Sequence, residues 1–248
     1  MKYFLLLIFS CISIAPSFAQ EDTAEDDFSK SKEKAQTTIN ETASRDRVVV
    51  ELTFDNWFHN VDSLQTKWHS LGFNFHFMYD MIIKKSRFSF APGIGIGTSH
   101  IYNNSEIVKT DSTSFFRPIG DGDQKGGYTM DELKGNKLTL VYLDVPLELR
   151  YRAKPNNNNK AFKMAIGVKG SVLVQSHTKT RFTDSFGDTK KIKDINQKDL
   201  LKFRAAATFR IGYGPFNVLA VYNLTNLFKK DRGPIVTPFS LGISFNGL

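Results

Sequence analysis

The sequence predicts an all-β fold, an eight-stranded antiparallel up-and-down transmembrane β-barrel. Three observations carry that prediction. Most of the chain from residue 47 onward alternates between large apolar and polar or small residues, the period of a strand with two unlike faces. The strands so defined are longer than the five or six residues usual in a soluble sheet. Finally, their connections alternate long and short without exception, which in a meander gathers all long loops at one end.

The alternating segments are 47–58, 68–83, 87–102, 137–153, 160–180, 199–213, 216–228 and 236–247. Between them the first, third, fifth and seventh connections span 9, 34, 18 and 7 residues, and the second, fourth and sixth span 3, 6 and 2. In the segment 137–153, Val141, Leu143, Val145, Leu147, Leu149 and Tyr151 share one face. Tyr142, Asp144, Pro146, Glu148, Arg150 and Arg152 share the other. In 68–83, Phe73, Phe75, Phe77, Tyr79 and Met81 lie opposite Asn74, His76, Met78 and Asp80. Hydrocarbon offers no partner for an unpaired backbone N–H or C=O, so a sheet that crosses a bilayer has to close on itself.

Alternation alone does not say which face is outside, because a soluble lipocalin-like barrel keeps its apolar face inside. Here the non-apolar faces carry Glu51, Asp55, Asp80, Asp144, Glu148, Arg150, Arg152, Lys163, Lys169, Lys202, Arg204 and Arg210, with both signs on neighbouring strands. Eight strands enclose a space that side chains fill, so such charges can pair across it. The apolar faces carry aromatics near their ends: Trp57, Phe58, Trp68, Phe73, Phe88, Phe90, Tyr151, Phe162, Phe203, Tyr213, Phe239 and Phe245. Rings in those places match the girdles that sit at headgroup level. The expected arrangement is therefore apolar toward lipid and charged toward the lumen.

The N-terminal residues read as a secretory signal peptide over 1–19, with Lys2, an apolar run from Tyr3 to Ala15 and a small-x-small cleavage signal at Ser17-Phe18-Ala19. Cys11 sits inside that apolar run, so acylation there is the weaker reading. Residues 20–46 hold eight acids and four bases with almost nothing apolar, the composition of a disordered acidic periplasmic tether. The barrel domain is then 47–248, which carries +11 once Lys2 and the −4 tether are taken from the chain's +8. An exported basic chain is expected to meet phosphate-bearing lipid rather than nucleic acid, and its basic residues are spread along strands instead of forming a stacking patch. The expected location is the outer membrane.

The segment Tyr142-Leu143-Asp144-Val145-Pro146-Leu147-Glu148-Leu149-Arg150-Tyr151-Arg152 resembles the Tyr-Leu-x-hydrophobic-Pro-Leu-x-Leu-Arg/Lys-Tyr stretch of the PorT-like outer membrane protein beta-barrel domain family of Bacteroidota. The strand with Gly93, Gly95 and Gly97 and the closing Leu241-Gly242-Ile243-Ser244-Phe245 are similar too. The resemblance covers about residues 47–248 and implies an outer-membrane barrel without implying a reaction. One member of the family lends its name through type IX secretion, so a secretion-system or other envelope protein is among the partners it implies. Phe245 is followed here by Asn246-Gly247-Leu248, where such barrels commonly end on an aromatic residue.

No residue set reads as a catalytic, cofactor or metal site. Asp121, Asp123, Gly126 and Glu132 fall on an EF-hand spacing, but Lys125 stands where an oxygen ligand belongs. Ser99-His100 and Ser176-His177 lie near the long-loop ends of their strands. Neighbours in a strand face opposite ways, so only a cross-strand pair such as Ser176 with His100 would make an acyl-transfer dyad. His76, near Asp80 on the lumen face, reads as a hydrogen-bonded interior residue. Asn156 to Asn159 after Pro155 reads as a turn. Gly93, Gly95 and Gly97 are spaced by two and lack the later glycine of a dinucleotide loop, so they read as room left in a narrow lumen. The expected function is a non-enzymatic barrel acting through extracellular loops or as an envelope scaffold or assembly factor, in contact with lipopolysaccharide. A lipid-modifying acyl hydrolase or transferase and a soluble carrier are the alternatives.

Overall fold

The computed structural model describes residues 47–59, 61–62, 64–83, 86–110, 113–119, 133–153, 161–183, 187–195 and 198–247. The signal and tether readings, the Asp121–Glu132 loop and the Asn156–Asn159 turn lie outside these residues.

Among the described residues there are twelve strands: β1 (Val48–His59), β2 (Leu71–Met78), β3 (Met81–Ile82), β4 (Phe88–Asn103), β5 (Ser105–Lys109), β6 (Ser114–Pro118), β7 (Leu133–Arg152), β8 (Phe162–Thr183), β9 (Thr189–Ile195), β10 (Phe203–Tyr213), β11 (Phe216–Asn223) and β12 (Val236–Gly247). Eight staves form an antiparallel ring: β1, β2 with its short continuation β3, β4, β7, β8, β10, β11 and β12. The ring closes where β12 pairs with β1, from Val48 opposite Gly247 to His59 opposite Val236. The predicted barrel is therefore the observed one. Two elements are additional. Within the long 103–136 connection, β5 and β6 form a hairpin, and β9 pairs with the upper part of β8 beyond the point where β10 takes over.

Lipid-facing and lumen-facing sets separate as the alternation requires. Leu52, Phe54, Phe77, Ile94, Ile96, Val145, Ile166, Val218 and Ile243 are exposed on the outside, while Glu51, Asp55, Asp80, Asp144, Glu148, Arg150, Arg152, Lys163, Lys169 and Arg210 are buried. On β7 the outward apolar run from Val141 to Tyr151 advances ten residues. At a rise of about 3.3 Å and a tilt of roughly 40° this is a belt about 25 Å tall, the height of a bilayer's apolar layer. Aromatic pairs edge the belt: Phe88 with Tyr151 and Phe216 with Phe245 toward the short turns (centroids 5.3 and 5.5 Å), and Phe58 stacked on Phe239 at 4.2 Å toward the long loops.

Two placements from the sequence are corrected. Trp57 was expected on the lipid face, but it has the same parity as Glu51 and Asp55 and points inward, 4% exposed. Lys202 was expected in the lumen, but β10 begins one residue later and Lys202 lies exposed in the connection before it. A bulge also intervenes in β8. Val141 pairs with Gln175 and Tyr142 with Leu173, leaving Val174 unpaired, so Val174 and Gln175 are both exposed. The inward set of β8 therefore changes from odd residues below the bulge to even residues above it.

Above the belt the polarity inverts. On β7 the inward series passes from Asp144 through Tyr142 to Leu140 and Leu138, all buried. The outward series passes from Val141 to Thr139 and Lys137. On β4 the inward Ser99 gives way to the buried Ile101, and the outward Ile96 to Thr98, His100 and Tyr102. Below this line the solvent is hydrocarbon and the barrel is apolar outside. Above it the strands meet the headgroup layer and then water, and they are apolar inside.

Candidate functional site

The lumen is closed in two layers. The lower layer is ionic. Arg210 on β10 donates to Glu51 on β1 and to Glu148 on β7, each at 2.8 Å, and to Asn246 on β12 at 3.2 Å. Arg150 donates to the other oxygen of Glu148 at 2.9 Å, and Asn74 to Glu51 at 2.9 Å. His76 Nε2 lies 3.2 Å from Asp144 Oδ2, and Lys169 Nζ lies 3.4 Å from the same oxygen. The expected neighbour of His76, Asp80, pairs with Arg152 instead. Buried charges persist only when paired and hydrogen-bonded, and this set links staves on opposite sides of the ring.

The upper layer is apolar. Trp57, Ile101, Leu138, Leu140 and Tyr142 from the staves meet Phe116 of β6 and Leu227 and Phe228 of the last long loop. Ring centroids are 5.7 Å apart for Trp57 and Phe116 and 5.6 Å for Phe116 and Phe228. The Arg204 guanidinium carbon, 3.8 Å from the centre of the Tyr142 ring, joins the two layers by a cation–π contact. A cavity of about 30 Å³ remains between the layers, lined by Asp55, Asn74, Tyr142, Lys169 and Arg204 among others. That is room for about two waters.

The described parts of the long connections fold over this plug as a crown. Ser114 donates its hydroxyl to Asp199 at 2.5 Å and its N–H to the carbonyl of Arg232 at 2.9 Å. Leu201 N–H donates to Leu227 O, and Lys229 N–H to Asp199 O, both at 2.9 Å. Phe116 is the hairpin's aromatic anchor in the plug, beside Ile107, a few hydrogen bonds and the Lys109–Asp194 ion pair. Replacing Phe116 with alanine is expected to release it while leaving the ring intact. Protease cleavage within residues 104–132 should rise at least about tenfold, with heat-modifiable gel migration unchanged.

The serine and histidine candidates are not brought together. Ser99 faces inward and donates to Asp55 Oδ2 at 2.5 Å. Ser176, opposite Leu140, is also inward and buried. His100 and His177 flank Thr139 on the outward side, His100 Nδ1 lying 3.1 Å from Thr139 Oγ1. Ser176 and His100 therefore occupy opposite faces of one wall. Among the described residues no group of His, Cys, Asp and Glu is arranged to hold a metal ion.

Sequence reasoning missed two features. One is the apolar upper plug, signalled by Trp57 in lumen parity and by Leu138 and Leu140 in register with Glu148. The other is a row of cations on the outward side above the belt, signalled by the period-two bases Lys179, Arg181, Lys191 and Lys193 but aligned only by strand register.

A family model described as "Outer membrane protein beta-barrel domain" matches residues 35–229. No curated protein matches the chain. Among solved structures, Ail, the attachment invasion locus protein of Yersinia pestis, in complex with the heparin analogue sucrose octasulfate, is similar at 12% identity. The likeness covers 81% of this chain and 96% of that chain with a TM-score of 0.31. At that score the fold rests on the strand register and not on the likeness. With most of its length matched by the family model, and with eight antiparallel staves closed into a ring that carries an apolar belt, the chain belongs to the outer membrane protein beta-barrel domain family.

Proposed function

We propose that this outer-membrane barrel is non-conducting and non-enzymatic, and that it acts from its long-loop end at the cell surface as a binding or scaffold protein. In this reading residues 1–19 direct export and are removed, residues 20–46 are a periplasmic tether, and the short turns face the periplasm. Its partners are the lipopolysaccharide of the outer leaflet and another envelope protein. The Tyr142–Arg152 segment favours a place among the PorT-like barrels of Bacteroidota.

The observation that carries the proposal is the double closure of the lumen. Among the described residues an ionic network and an apolar plug fill the lumen in series, which supports a barrel without an ion route, and the folded crown gives the long-loop end a surface for contacts. The opposite facing of Ser176 and His100 supports a reading without acyl transfer. Reconstituted in planar bilayers, the full chain is expected to give no steady conductance over the usual voltage range. A stable, reproducible open channel would overturn the proposal.

A further inference from the structure

The wall formed by β4, β7, β8 and β9 carries a feature that the closed lumen does not use. Tyr102, Lys137, Lys179 and Lys193 stand opposite one another across these four strands, on the outward side. One row further from the belt, Arg181 stands opposite Lys191. The Lys137 ammonium lies 5.6 Å from the centre of the Tyr102 ring. On the inward side of β9, beyond Lys190, Ile192 packs against Ile119 and Phe182, and Asp194 pairs with Lys109 of the hairpin at 3.4 Å. Among the described residues no carboxylate forms an ion pair with any of the five outward cations.

Like charges placed directly opposite in a sheet destabilise it, so three lysines in one row call for a counter-charge. The mutual repulsion is felt at Lys179. Its ammonium is held below the usual lysine range by Arg181 first, then by burial, and then by Lys191, Lys137 and Lys193. An anion seated among them would reverse that effect.

The height of the row says where such an anion resides. Lys137 is four residues beyond Val141, the last apolar outward residue of β7. At about 3.3 Å per residue and a tilt of roughly 40°, its Cα lies about 10 Å beyond the apolar belt. A lysine chain anchored there reaches down into the headgroup layer, where Tyr102 also belongs. The cations are on the lateral face of the barrel, beside lipid, and not on the top of the crown.

We propose that Lys137, Lys179, Arg181, Lys191 and Lys193 form a lateral binding site for the phosphate groups of an outer-leaflet glycolipid. The site rests on the surface orientation proposed above, since the opposite orientation would present it to the inner leaflet. The glycolipid's acyl chains would lie along the belt at Val174 and Val172, both exposed on β8 directly below the row.

The test uses the full refolded chain in detergent, with bisphosphorylated lipid A as the probe and bound lipid counted by native mass spectrometry. Three further probes are its phosphate-free analogue, inorganic pyrophosphate and sucrose octasulfate. Bisphosphorylated lipid A is expected to bind at least about tenfold more tightly than the phosphate-free analogue. The triple variant K137Q/K179Q/K193Q should weaken it on the order of a hundredfold, while K179R should stay near wild type. Unchanged heat-modifiable migration shows that the triple variant is folded. Equal binding of the phosphate-free lipid, or a triple variant that binds like wild type, would overturn the site. Pyrophosphate or sucrose octasulfate binding as tightly as lipid A would overturn the lipid as its occupant. A variant with Asp121, Asp123, Asp131 and Glu132 neutralised should bind lipid A within about twofold of wild type. A tenfold rise would instead make the chain's own acidic segment the occupant. The closed-lumen reading fails separately, by conductance.

Discussion

Replacing Arg210 with methionine is expected to destabilise the barrel by about 3–5 kcal/mol, the cost typical of removing one partner from a buried charge set. The guanidinium is the only group that donates to both Glu51 and Glu148 among the described residues, at 2.8 Å each, and it also reaches Asn246. Without it Glu148 keeps Arg150, but among the described residues Glu51 retains only the Asn74 amide at 2.9 Å and the His76 ring at 3.9 Å. Two carboxylates, each 3% exposed, would then lose the cation between them. Folded domains are stable by about 5–15 kcal/mol, so the loss consumes a large share of the total. Reversible urea unfolding in lipid vesicles measures it. Arg210→Lys should lose less, because one ammonium keeps the charge but lacks the fork that spans two acceptors. Adding Glu51→Gln to the methionine variant should recover part of the loss, since it removes the stranded charge. A methionine variant within about 1 kcal/mol of wild type would mean that the lumen network is not what holds the ring together.

The parts of this structure that were legible in the sequence are those where one rule applies along a whole strand. Between Val141 and Tyr151 every outward residue meets hydrocarbon and every inward one meets the filled lumen. Period two therefore assigned Asp144, Glu148, Arg150 and Arg152 correctly before any pairing was known. The rule fails where the strand leaves the membrane. Trp57, Ile101, Leu138 and Leu140 are apolar and inward because water, not lipid, surrounds the upper ring. A reading that sorted apolar residues to the outside sent Trp57 there as well. The bulge at Val174 is the second limit. It shifts the parity of β8 by one, and nothing in the string VLVQSHTK marks which residue is unpaired. Without that shift the outward row of Lys179 with Lys137 and Lys193 cannot be assembled, because its members come from three strands whose register the sequence leaves open.

The glycines of β4 are the case where a residue's meaning comes entirely from its neighbours across the sheet. Gly95 pairs with His76 of β2 on one side and Asp144 of β7 on the other. The 3.2 Å contact between those two side chains passes over β4 where Gly95 stands. A Cβ there would lie 2.8 Å from the His76 Cα and closer still to the Phe75 carbonyl oxygen and the His76 ring. Backbone atoms cannot give way as a flexible side-chain tip can. A leucine at 95 therefore has to spread β4 from β2 and break the His76–Asp144 contact, leaving Asp144 with Lys169 at 3.4 Å. Overpacking alone costs about 1–3 kcal/mol, and a buried polar group left without its hydrogen bond adds about 1–3 more. Gly95→Leu is accordingly expected to abolish folding into the heat-modifiable form, both on refolding in detergent and on assembly in cells, and Gly95→Ala to reduce it. Gly170 supplies the control. It lies on the outward side of β8, where the nearest atom to an added Cβ is the Val145 carbonyl oxygen at 3.9 Å. Gly170→Leu should fold like wild type. Equal yields of folded Gly95→Leu and Gly170→Leu would show that the lumen has slack, and that the glycines are not there to let side chains from the flanking staves meet.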